Sequence, residues 1–221
     1  MQADVRQLTK LVATLSAGSS LLQCELALLM RSQNTTGTVV QNSGAYCETE
    51  HTKGAKFDAP LADGVVDIVK ASGKSEIGDF GGRMGRYTDY FRQNGMRADC
   101  YDGAYKIEEL TQGLVKQLDL SVPQLDLPKY PWIMCLEVGE HIPPEREHFF
   151  ADNLDRSATH GVILSWASKD NEIHVNLKKS EEVIRLFEER YGWRFDAELT
   201  KMLRSKATLS WFRTTLHVFH K

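Results

Sequence analysis

Glu76-Ile77-Gly78-Asp79-Phe80-Gly81-Gly82-Arg83-Met84-Gly85 is the stretch of this 221-residue chain whose reading decides the fold. Ser75 to Gly78 reads as a short strand and Arg83 to Asn94 as a helix, so an acid ending the strand, Glu76, leads into a glycine-rich turn. Glycines permit close backbone approach and positive φ, and the N-terminus of the following helix offers free amides. A nucleotide-like ligand belongs over such a turn. A nicotinamide dinucleotide would demand G-x-G-x-x-G beneath its pyrophosphate. Gly78 to Gly85 holds too many residues for that, and Glu76 would repel a diphosphate. A cationic ligand without phosphate suits the acid better.

Upstream, Leu61, Val65, Val66, Ile68 and Val69 predict a helix over Ala59 to Ala71 that stops at Ser72-Gly73. Downstream, strands are expected at Ala98 to Tyr101, Val115 to Leu120, Trp132 to Leu136 and Val162 to Trp166. Helices are expected at Ile107 to Leu114, Arg146 to Leu154 and Glu181 to Tyr191. This alternation predicts an α/β fold, a Rossmann-like, mostly parallel sheet of about seven strands with helices on both faces. Thr208 to Phe212 and Thr215 to Phe219 look like a closing antiparallel pair. Leu8, Leu11, Val12, Leu15, Leu22, Leu26 and Leu29 recur at helical spacing, which predicts an amphipathic helix packed on the domain or on a second subunit of a homodimer. The expected organisation is a helical extension over 1–33, a polar loop or lid over 34–58 and the main domain over 59–221.

A net charge of −3 and a pI near 6.2 offer a polyanion no general attraction, so nucleic acid is not an expected partner. Gly18, Ser19, Ser20, Gln23 and Glu25 interrupt the apolar run Leu11 to Met30, which argues against stable membrane insertion. Cys24, Cys47, Cys100 and Cys135 form no CxxC pair and read as free thiols of a reducing, cytoplasmic compartment.

A second acid, Asp102, ends the next strand at about the 20-residue distance expected of a ribose-binding carboxylate. A third, Asp119, follows the next apolar run. S-adenosylmethionine, with a sulfonium, an α-ammonium and no phosphate, has the features that suit acids in these places. Glu76 to Thr88, Asp102, Asp119 and Trp132-Ile133-Met134-Cys135-Leu136-Glu137-Val138-Gly139-Glu140-His141-Ile142 resemble successive motifs of the class I S-adenosylmethionine-dependent methyltransferases. Leu136 to Pro143, Gly161 to Ala167 and His174-Val175-Asn176 are similar to a poorly characterised methyltransferase-like group.

The resemblance implies that Glu76, Gly78, Gly81 and Gly85 hold the methionine part of the cofactor. It implies that Asp102 and Gly103 hold the ribose, that Asp119 and Leu120 border adenine, and that Glu137 faces the methyl-transfer cleft. Phe80 then stands where E-x-G-x-G-x-G has its middle glycine. The acceptor is expected to be a small molecule methylated on O or N by in-line displacement, a reaction that needs alignment and exclusion of water. For a hydroxyl acceptor a base helps; His141 ranks first and His174 second. Tyr46, Arg86, Tyr87, Glu140 and Trp166 are candidate acceptor contacts, and Tyr46-Cys47 a candidate lid. Glu137, Glu140, His141 and His174 are suitable metal ligands, but their spacing matches no closed motif, so no metal is expected. The competing function is a scaffold that keeps the fold, with or without the cofactor, and lacks turnover.

Overall fold

In the computed structural model, which describes residues 2–31, 40–47, 54, 56–169 and 173–221, the chain opens with helix α1 (Gln2–Arg31). Helix α2 (Ala59–Ala71) follows, with the bounds its apolar spacing predicts. Asp58 caps it: Oδ1 accepts from the Leu61 amide at 3.2 Å, which satisfies one of the donors a helix start leaves open. Then come β1 (Glu76–Phe80), α3 (Arg86–Gln93), β2 (Arg97–Asp102), α4 (Ile107–Leu110), β3 (Val115–Gln117) and β4 (Tyr130–Cys135). Helix α5 (Glu147–Ser157), β5 (Ala158–Ser165), α6 (Ser180–Tyr191), β6 (Arg194–Phe195), α7 (Ala197–Lys206), α8 (Phe212–Thr215) and β7 (Leu216–His220) complete the chain.

The strands form one seven-stranded sheet in the order β3-β2-β1-β4-β5-β7-β6. Strands β1 to β5 pair in parallel, and β7 runs antiparallel to both β5 and β6. Successive side chains of a strand leave on opposite faces. Trp132 and Met134 of β4 therefore join Ile77, Ile163 and Val218 under α2, α3 and α7, where Leu61, Val65, Phe91 and Leu203 meet them. Ile133 and Cys135 join Val162, Leu164 and Phe219 on the other face, under Phe150 and Leu154 of α5 and Val183 and Phe187 of α6.

Three expectations change. Thr208 to Phe212 is not a strand, because both carboxylate oxygens of buried Asp58 are in use: Oδ2 takes the amides of Thr208 and Leu209, each at 2.7 Å. That ties the segment to the start of α2, and β6 pairs with β7 instead. Of the two placements expected for the apolar stripe of α1, the domain or a second subunit, the first is not found: Leu15, Leu22 and Leu26 are 63%, 67% and 60% exposed. The cysteines are not all free thiols, since Cys24 and Cys47 form a disulfide. It lies in a small cluster with Tyr105 and Leu28 and fastens α1 to the domain there. Disulfides persist chiefly in oxidising compartments, so the cysteines no longer argue for a reducing one. Among the described residues no helix is long and apolar enough to cross a membrane. Of the expected loop or lid, residues 40–47, 54 and 56–58 are described; 34–39, 48–53 and 55 lie outside the described residues.

Candidate active site

The sheet order reverses between β1 and β4, and in open parallel sheets a crevice forms beyond the carboxyl ends of the strands at such a point. A cleft of about 880 Å³ lies there, lined by Asp79, Gly81, Gly82, Arg83, Glu137 and Glu140 among others. Register with β2 carries β1 as far as Phe80, opposite Tyr101. The acid at the strand's exit is therefore Asp79. Glu76 begins β1 at the amino end of the strands, away from the cleft, partly buried and paired with Arg97, and it does not line the cleft.

Asp79 is buried, and burial raises its pKa from 3.8 to about 7 against the favourable hydrogen bond from Thr88 Oγ1 at 2.9 Å. The turn that follows has Gly81 at φ +82°, with the amides of Gly81 and Gly82 donating to the Tyr101 carbonyl at 2.7 and 3.1 Å. A Cβ on Gly82 would come within 2.6 Å of Asp79 Oδ2. In this register the glycine pattern reads Asp79-x-Gly81-x-Arg83-x-Gly85, and the departure lies at Arg83, which takes φ +49°, rather than at Phe80. The backbone amide of Arg83 donates to Asp102 Oδ2 at 2.8 Å, and its guanidinium donates to Tyr46 Oη at 3.0 Å.

Asp102 ends β2, buried, with Oδ1 accepting from the Ala104 amide at 2.8 Å. Burial raises its pKa, and its two amide partners and Arg83 oppose the rise. A second, smaller cavity beside it is bordered by Gly103, Asp119, Leu120, Glu137 and His141. Residues 40–47 lie across this side. Tyr46 and Ala45 line the small cavity, and the Tyr105 amide donates to the Tyr46 carbonyl at 2.9 Å. Gln41 Nε2 donates to the Gly103 carbonyl at 3.1 Å. Gly44 fits only as glycine: it takes φ +87°, and a Cβ would fall 1.9 Å from the His141 carbonyl oxygen.

Beyond β4 the chain turns sharply. Glu137 takes φ +54° and donates its amide to Ser165 Oγ at 2.8 Å, while its Oε1 accepts from Thr215 Oγ1 at 3.2 Å. One turn of 3₁₀ helix, Gly139–His141, then aims Glu140 and His141 at the cleft. The segment carrying His174 is held to it, because the amides of Val175 and Asn176 both donate to the Glu140 carbonyl, at 2.9 and 3.0 Å. The His141 and His174 rings are 5.0 Å apart. Glu140 is fully buried; burial first, then the neighbouring Glu137, hold its pKa well above 4.5. Burial, then His174 and Arg83, lower His141 to about 4. Its imidazole is thus neutral near pH 7 and holds a proton weakly.

Most of the sequence candidates line these two cavities: Tyr46, Gly81, Arg86, Tyr87, Asp102, Gly103, Asp119, Leu120, Glu137, Glu140, His141 and His174. Besides Glu76, three do not. Gly78 lies within β1, where a Cβ would meet the Tyr130 ring at 2.6 Å, so its role is packing. Gly85 takes φ +72° at the N-cap of α3, and its α-carbon faces Leu114 and Val115. Trp166 is buried against Phe150, with Nε1 donating to the Asn176 carbonyl at 2.6 Å, so it forms no acceptor wall. Trp211 and Phe212, which belong to the core under α2 and α7, also line the cleft, with Lys56 5.3 Å over the Trp211 ring. Asp79 and Arg83 had a usable signal: an acid two residues before Gly81 restores the D-x-G spacing. The signal for Trp211 was absent, because it reaches the cleft only through the tie of Thr208 and Leu209 to Asp58.

No family model matches the chain, and comparison with curated proteins yields no match. Solved structures do match. The magnesium protoporphyrin IX methyltransferase (ChlM) from Synechocystis PCC 6803 with bound SAH superposes with a TM-score of 0.57 at 16% identity, over 92% of this chain and 97% of that one. A TehB-like SAM-dependent methyltransferase from Corynebacterium glutamicum gives 0.56 at 16% identity, over 77% and 91%. A SAM-dependent methyltransferase from Clostridium acetobutylicum gives 0.55 at 9% identity, over 76% and 92%. The fold is that of the class I methyltransferases.

Proposed function

We propose that the chain is an S-adenosylmethionine-dependent methyltransferase acting on O or N of a small molecule. The observation that supports this most is the grouping of Asp79, Asp102, Glu137 and Glu140 around cavities at the strand-order switch. Such a lining disfavours a diphosphate and suits a ligand carrying a sulfonium and an ammonium. Lys56, Arg83 and Arg86, also lining the cleft, bring positive charge that suits a ligand carboxylate. When bound, S-adenosylmethionine supplies a methyl group already activated by its sulfonium.

The chain's own residues then have separable tasks. The turn Gly81 to Arg83 receives the methionine part, Asp102 accepts from the ribose hydroxyls, and Asp119 and Leu120 border the base. Arg86, Tyr87 and Trp211 shape the acceptor side, and residues 40–47 keep water from the nucleoside side. Alignment and dryness are what in-line displacement asks of a protein. An amine acceptor needs no further help. The proton of a hydroxyl acceptor is handled at the cluster of Glu140, His141 and His174.

Calorimetry with S-adenosylmethionine, S-adenosylhomocysteine and NAD tests this reading. Both sulfur ligands should bind and NAD should not; absence of binding by either sulfur ligand refutes it. Asp102→Ala should weaken the sulfur ligands about 10-fold or more, as expected for loss of hydrogen bonds to a charged group. Incubation of a metabolite extract with methyl-labelled donor should then yield a labelled product. Cofactor binding without any labelled product would favour the scaffold reading.

A further inference from the structure

We infer that Glu140, His141 and His174 form a binding site for one divalent transition-metal ion at the wall of the cleft. Sequence spacing points away from a metal, since His174 lies 33 positions beyond His141. The fold removes that separation: one ligand atom from each of the three side chains lies within 4.8 Å of the others. Bonds of about 2.1 Å would draw such atoms closer together, a contraction within reach of side-chain rotation.

Two independent features point to a ligand there. The first is Glu140, fully buried with neither carboxylate oxygen hydrogen-bonded to any described residue. The amides of Glu140 and Ala167 favour its anion and the adjoining Glu137 carboxyl disfavours it, but none of the three reaches hydrogen-bonding geometry with it. An unpaired buried carboxylate costs several kcal/mol, roughly, unless a cation or proton meets it. The second is the orientation of both imidazoles. His141 Nδ1 donates to the Ile173 carbonyl at 3.4 Å, and His174 Nδ1 donates to the Lys169 carbonyl at 3.1 Å. A carbonyl can only accept, so each Nδ1 is the donor and Nε2 is the ring nitrogen left to meet an ion. Metal-binding histidines are commonly oriented in this way by a backbone carbonyl behind the ring.

The donor set selects the ion. Two imidazoles and one carboxylate suit zinc, cobalt, manganese or ferrous iron, whereas calcium and magnesium prefer all-oxygen shells. Three protein ligands leave coordination positions open toward the cleft. An oxygen of the acceptor fits such a position, which points to a hydroxyl-bearing acceptor. That last step rests on the methyltransferase reading; the metal site does not.

The test uses full-length, oxidised protein stripped with chelator and titrated with Co²⁺, read by its visible absorption. One Co²⁺ per chain, displaced by Zn²⁺, is expected. His174→Asn and Glu140→Gln should each weaken Co²⁺ binding by more than about 100-fold, beyond the loss typical of supporting residues. Circular dichroism checks the fold, and His174→Asn, on a partly exposed segment, carries the test if Glu140→Gln misfolds. Absence of Co²⁺ binding overturns the inference. So does binding that His174→Asn leaves unchanged, which would place the ion elsewhere, for instance at the adjacent His160 and His220 rings. Calorimetry of S-adenosylhomocysteine on the same metal-free protein separates the two readings: cofactor binding without Co²⁺ binding sinks only the metal site, and the converse sinks only the methyltransferase.

Discussion

In an Asp79→Asn variant, the carboxyl beneath the glycine turn loses its titration and nearly keeps its shape. The amide oxygen can still accept from Thr88, and the amide nitrogen can turn to the cleft that Asp79 lines. The folded-state pKa of about 7 lies above the reference value of 3.8, so folding favours the neutral acid. The stability from that preference is present in full below pH 3.8 and is lost as pH rises through about 7. At about 1.4 kcal/mol per tenfold change in the proton equilibrium, ionising Asp79 destabilises the fold by about 4 kcal/mol in alkaline solution. By the same linkage roughly 2–3 kcal/mol of this appears between about pH 5 and about pH 8.5. Entry of water and side-chain relaxation reduce it, so at least about 1 kcal/mol is the expected difference. The assay is urea unfolding of both proteins at the two pH values, with the disulfide kept oxidised. Titration of His141 destabilises the fold as pH falls from 6.5 through about 4, but it acts on both proteins and cancels in the comparison. The advantage of Asn over Asp should grow with pH. A difference that stays constant within about 0.5 kcal/mol would refute the assignment of a strained, buried acid at the strand exit, given the usual extrapolation error.

Gly44→Ala should lift residues 40–47 off the turn that carries His141, because the added Cβ has only 1.9 Å to the His141 carbonyl oxygen. Hydrogen exchange at the Tyr105 amide, which donates to Tyr46, should rise by at least tenfold; unchanged protection would show that the segment is not seated there. Opening the Cys24–Cys47 bridge, 23 residues apart, should cost about 3 kcal/mol by the loop-entropy relation. Thermal unfolding with and without reductant measures this, with the Cys24→Ser, Cys47→Ser double variant as control. If reductant lowers Tm equally in the double variant, the effect is not the bridge.

Much of the architecture was legible in local pattern. Apolar spacing and Ser72-Gly73 bound α2, and the alternation of strand and helix from Glu76 to Ser165 predicts the parallel sheet. These are short-range signals: side-chain periodicity, turn residues and caps act within a few positions. The candidate site was legible as a neighbourhood, since Asp102, Glu137, Glu140 and His141 follow strand ends visible in sequence. Its details were not. Whether Glu76 or Asp79 meets the cleft depends on how far β1 stays paired, and the Phe80–Tyr101 register decides that, not propensity. Trp211 reaches the cleft because Asp58, about 150 positions earlier, holds Thr208 and Leu209. Cys24 and Cys47 meet across a fold whose closure their spacing does not encode.

The opening stretch thus shows both levels. By itself the sequence determined that a strand, a glycine turn and a helix succeed one another between Glu76 and Gln93, because backbone freedom and helix-start amides are local properties. Only the tertiary structure decided that Asp79 is the buried acid there, that Arg83 takes the place of a glycine, and that His174 joins Glu140 and His141. Those outcomes depend on strand register, burial and hydrogen bonds between distant segments, and these exist only once the sheet has formed.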